Sequence, residues 1–175
     1  MKPDMYRHAH IVDRLRRLPR KMLELHGRDN VPDFVLHELC RPDCFNIPKA
    51  AYFIDNPSFN CLKGVVGISN QELQGFENIW ANPDQFIEKV AQSPFNQKVR
   101  SYTYESRKNK GHSHEEMAGI IAKELGLNNY GYYAWDMKHD NHGFLVCEKN
   151  SSQDDEHHEE VMVDGLCLLS FCPVY

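Results

Sequence analysis

The sequence predicts an α+β fold: a mostly antiparallel sheet with helices packed on one face, and an amphipathic helix at the N-terminus. Three observations carry this expectation. Ile11, Leu15, Leu18, Met22 and Leu25 recur at spacings of four and three, which puts them on one stripe of a helix. Apolar runs bounded by turn residues lie towards both ends of the chain, at 50–55 and 61–68 and again at 130–137 and 144–148, and these read as strands. Between them lies a capped helix at 113–125. Ser113 and Glu116 form its capping box, Met117, Ile120, Ile121 and Leu125 its apolar face, and Gly126 its stop.

Taken in order, the first helix covers residues 4–26 and stops at Gly27. Pro19 lies in its middle and predicts a kink, or two short helices. Its two heptads are too few for a coiled-coil seam, so the stripe is expected to face a core. Residues 33–40 fit a strand or a short helix equally well. The strands at 50–55 and 61–68 are separated by the turn Asn56-Pro57-Ser58. A helix capped by Ser69 or Asn70 is expected to run to Trp80, and Asn82-Pro83-Asp84 opens another to Ala91, broken by Ser93-Pro94. Residues 96–108 alternate weakly, as an edge strand would. A hairpin-type loop at 138–143 joins the strands at 130–137 and 144–148. An acidic insert at 150–160 reads as a solvated loop, and the apolar stretch 161–172 as a central strand.

With 175 residues, one domain over 1–175 is the expectation, with residues 1–27 as a helical arm packed on it. No apolar run is long enough to span a membrane, and the N-terminus has no secretory core, so the expected compartment is the cytoplasm. Residues 1–28 carry a surplus of five positive charges, and the remainder a deficit of ten. That balance suits a basic helix lying on its own acidic body or on that of a homodimer mate. It disfavours nucleic acid, which the total charge of −5 would repel at long range.

Three functional readings follow from the side chains. The first is a soluble metal-binding protein, structural or catalytic, holding zinc or iron through His37, Cys40, Cys44 and Cys61. Thiolate and imidazole are the ligands both metals favour, but the spacing lacks paired C-x2-C knuckles. A mixed nitrogen and oxygen site from Asp136, His139, Asp140 and His142, joined by His112, His114 and Glu115/Glu116, is a variant of this reading. His112-Ser113-His114 lacks the downstream acid of H-x-H metal motifs, since Ala118 and Gly119 stand there. The second reading is a thiol-dependent hydrolase or transferase with Cys61 as nucleophile and His142 as base, oriented by Asp164 or Asp155. The third is a non-enzymatic interaction module whose basic helix docks an acidic partner. The stretch 98–110, with Arg100, Tyr102, Tyr104, Arg107 and Lys108, has the composition of a phosphate contact, or of a solvated edge. No nucleotide P-loop occurs, and the small-molecule substrate is not legible.

Overall fold

The structure, a computed structural model, describes residues 3–76, 78–150 and 158–173. Two hairpins make most of the sheet: β1 (Lys49–Asn56) with β2 (Cys61–Ser69), and β4 (Tyr130–Asp136) with β5 (His142–Glu148). The hairpins join through β1 and β5, and the two-residue β3 (Thr103–Tyr104) adds an edge to β2. All pairings are antiparallel, in the spatial order β3-β2-β1-β5-β4. Around the sheet lie α1 (Pro3–Glu24), α2 (Val31–Cys40), α3 (Pro83–Gln92), α4 (Pro94–Arg100), α5 (Arg107–Lys110), α6 (His114–Leu125) and α7 (Glu159–Cys167). The α+β class and the antiparallel sheet are as expected. None of these helices is long and apolar enough to cross a membrane.

Side chains alternate along a strand, so β1 serves two cores at once. Ala50 and Tyr52 enter the larger core, with Ile11 and Leu18 of α1, Phe34 and Leu39 of α2, and Met162 and Leu166 of α7. Ala51 and Phe53 enter a smaller one, with Val99 of α4 and Met117 and Ile121 of α6. The cover expected on one face therefore extends to both. The expected arm, α1, is packed on the body, and it runs through Pro19 as one helix with the ring on its exposed side.

Three segments differ from their sequence expectation. All ten residues of α2 are buried, so it shows no polar stripe by which a helix could be told from a strand. Its charged residues are paired instead. Arg100 donates to both oxygens of Asp33, at 2.8 and 3.0 Å, and the Trp80 indole donates to Glu38 at 3.0 Å. Residues 70–76 and 78–80 form turns and irregular chain rather than a helix. There the Asn70 amide donates to the carbonyls of Cys40 and Ile47, fixing the segment to the end of α2. The expected strand at 161–172 is α7 and a 3-10 turn, whose buried Met162, Gly165, Leu166 and Leu169 recur at helical spacing. The edge strand expected within 96–108 shrinks to β3, between α4 and α5. Of the acidic insert, residues 151–157 lie outside the described residues.

One irregularity shapes β2. Tyr52 pairs with Val66 but Phe53 with Gly64, so Val65 is an extra residue, a β-bulge. Because of it, Leu62 lies on the α4 face while Val66 and Ile68 lie on the opposite one. Gly64 and Gly67 lie directly under α4. A methyl group on Gly64 would stand 1.8 Å from the Val99 carbonyl oxygen.

Candidate functional site

The strand registers bring three chemistry-bearing residues into one row. His142, the first residue of β5, pairs with Asp55 of β1 on one side and with Asp136, the last residue of β4, on the other. Residues directly opposite in an antiparallel ladder point to the same face. The row thus reads Asp55–His142–Asp136, on the face that carries α6, with Phe144 and Phe53 behind it.

Each member has a different environment. Asp136 is exposed, and its Oδ1 lies 2.9 Å from His142 Nδ1. A carboxylate only accepts, so this contact places the ring proton on Nδ1 and leaves the Nε2 lone pair facing away. Nε2 is buried, has no hydrogen-bond partner among the described residues, and lies 3.9 Å from Asp140 Oδ1, beyond hydrogen-bond reach. Asp55 is only 2 % exposed, and neither carboxylate oxygen has a hydrogen-bond partner among the described residues. A carboxylate left so is costly unless it meets a proton, a water or a cation.

Asp55 and His142 line one cavity of about 10 Å³, together with Arg107, His114, Leu62 and Met117. That volume suits about one water molecule. His114 opens α6, where the capping box holds the helix start, and its ring lies 6.0 Å from the Phe144 ring, near parallel to it. Burial, with the Arg107 guanidinium and the His142 ring close by, lowers the His114 pKa below its ordinary value. Arg107 opens α5, which is fixed by Asn109 donating to the Pro57 carbonyl and to Asn60 Oδ1, each at 3.0 Å.

Of the site residues expected from sequence, the structure gathers His114, His142, Asp136 and Asp140. It does not gather the cysteine set. His37, Cys40 and Cys44 lie at the end of α2 and in the turn after it, tied to Asn70 just past β2. Cys61 begins β2 at the other end, eight residues away, roughly 25 Å along a strand. Cys40 and Cys44 are buried in the larger core, and that burial raises both thiols, Cys44 to about 12. Among the described residues no three His, Cys, Asp or Glu side chains are arranged to hold a metal ion. Nor does Cys61 meet His142. Cys61 pairs with Asn56, one position beyond Asp55, so its side chain points to the opposite face. Asp164 lies on α7, which packs on that opposite face, and Asp155 lies outside the described residues. Asp55 was not among the expected residues, and only its cross-strand partner reveals it.

His37 is instead a core histidine. Its ring meets Phe86 edge-on at 5.0 Å, and burial, aided by Arg41 and Arg14, lowers its pKa from 6.5 to about 4. The folded state therefore keeps His37 neutral at pH values where the unfolded chain protonates it. This contribution is fully present above pH 6.5 and is lost as pH falls from 6.5 towards 4, about 3 kcal/mol in all. Urea denaturation of a His37→Leu variant should show a flatter pH dependence across that window.

Compared with protein-family models, with curated proteins and with solved structures, the chain finds no match in any of the three.

Proposed function

We propose that the chain is an acid–base hydrolase centred on His142. One observation carries this reading: a buried carboxylate and a buried ring nitrogen, both without a hydrogen-bond partner among the described residues, meet at a cavity sized for one water. In this mechanism Asp55 holds the water, and His142 Nε2 takes its proton as the oxygen attacks the electrophilic carbon or phosphorus of the substrate. The imidazolium that forms lies between Asp55 and Asp136, whose charges favour it, and it then returns the proton to the leaving group. Asp136 fixes the ring and its tautomer. His114, its pKa lowered, offers a neutral ring beside the reacting centre. A reducing, cytoplasmic setting belongs to the same reading, since all six cysteines are free.

A zinc or iron ion is the second reading. Asp55 and His142 both line the cavity, and each has buried acceptor atoms without a hydrogen-bond partner among the described residues, as cation ligands would. Although His114 lines the same cavity, no three such side chains among the described residues are arranged to hold an ion, which ranks this reading second.

Activity against esters, phosphomonoesters and amides, read with variants, tests the proposal. His142→Gln should lower turnover by about 10²- to 10⁴-fold and Asp55→Asn should also impair it, whereas Cys61→Ala should leave it unchanged. Turnover that survives His142→Gln would remove the hydrolase reading. Turnover lost in Cys61→Ala would restore the thiol enzyme. Elemental analysis showing near-stoichiometric zinc or iron, with a melting temperature that falls on chelation, would promote the metal.

A further inference from the structure

Arg107 lines the same cavity as Asp55, His114 and His142. Among the described residues no carboxylate lies within 4 Å of its guanidinium, in contrast to Arg14, Arg28 and Arg100, each of which is paired. Nor is Arg107 loosely placed. Its Nη1 donates to the His112 carbonyl at 2.7 Å, while the His112 amide donates back to the Arg107 carbonyl at 3.1 Å. Asn109, two residues on, fastens the same short helix to the turn after β1. One edge of a rigid guanidinium is thus spent on position, and its remaining donors are left for something else.

The acids around it do not fill that role. Asp136 and Asp140 are turned to His142, and Asp55 lies deep in the cavity without a hydrogen-bond partner among the described residues. The cavity is too small for more than a water, so the body of a substrate would stay at the mouth. A planar fork with free donors matches a carboxylate or a phosphate, both of which it can grip bidentately.

We propose that Arg107 binds an oxyanion, phosphate or carboxylate, carried by the substrate, so that the site acts on anionic rather than neutral molecules. The inference rests on the hydrolase reading only for the word substrate, because the anion site is defined by Arg107 itself.

Inorganic phosphate and acetate, titrated separately into the full chain, test it. Binding is read by calorimetry and by the NMR signals of the His114 and His142 rings. The expected result is that at least one of the two anions binds and moves both ring signals. Arg107→Gln should weaken that binding by tenfold or more, while Arg107→Lys should retain part of it, as a point charge without the fork would. The melting temperature of each variant separates lost binding from lost folding. The inference is overturned if neither anion moves either ring, or if Arg107→Gln, still folded, binds as the parent does. Anion binding through Arg107 without turnover dependent on His142 would keep this inference and remove the hydrolase. Turnover of a neutral ester that depends on His142, with neither anion bound, would do the reverse.

Discussion

Replacing Gly64 by alanine is expected to cost about 3 kcal/mol or more, because the added methyl group has no room that a side-chain rotation could open. The added carbon would meet backbone on α4: the Val99 carbonyl oxygen at 1.8 Å and its carbon at 2.7 Å. Backbone can yield only if α4 moves off the sheet and opens the smaller core. Gly119→Ala in α6 supplies the control. There the nearest atom is the Tyr130 hydroxyl at 3.2 Å, and alanine gains helix propensity, so the change should be neutral or mildly stabilising. Urea denaturation of the two variants checks the pair. Equal stability of Gly64→Ala and Gly119→Ala would mean that α4 does not lie against β2 at this distance.

Leu18→Ala should cost roughly 2–5 kcal/mol, because Leu18 is buried in the larger core beside Ile11 and Leu25. The basic residues of α1 contribute much less individually. Arg17 pairs with Asp13 at 2.8 Å, one turn away and largely in solvent, and Arg16 is exposed. Charge reversal at Arg16 should therefore change stability by no more than about 1 kcal/mol. Removing residues 1–27 would uncover one side of the larger core, and the truncated chain should not melt cooperatively. A truncated chain of unchanged stability would make α1 a free arm and favour a partner-binding role for it.

What could be read in advance follows from which elements carry caps and turn signals at their ends or keep one face in water. The helix at 113–125 and the strand pairs at 50–68 and 130–148 carry caps, turns and boundaries, and they stand within two residues of expectation, β5 beginning at His142 inside the expected loop. The helix α2 has no wet side, so its pattern carried no period, and α7 was disguised by Val161, Val163 and a run of leucines that suit a strand equally well. The site divides in the same way. His114 and His142 could be suspected because histidines are grouped at a helix start and a hairpin. Asp55 is one acid at a strand end, and nothing local distinguishes it. Its meaning comes from pairing with a residue 87 positions later, which no spacing rule conveys. The cysteines misled for the converse reason: they are close in sequence but serve opposite ends of the sheet.

The extra residue in β2 leaves the first hairpin with a rival way to close. If the strand straightened and slipped by one position beyond Tyr52, Phe53 would face Val65, and Asp55 would face Lys63 instead of Leu62. The rival has an attraction, because Lys63 would give the bare Asp55 carboxylate a cation and extinguish the reactivity proposed for it. It also fails, since residues with a Cβ would then take the place under Val99 where only glycine fits. Gly64 thus acts as a proofreader of pairing, and Asp55 stays opposite Leu62 rather than Lys63 because the helix lying across β2 permits no other alignment.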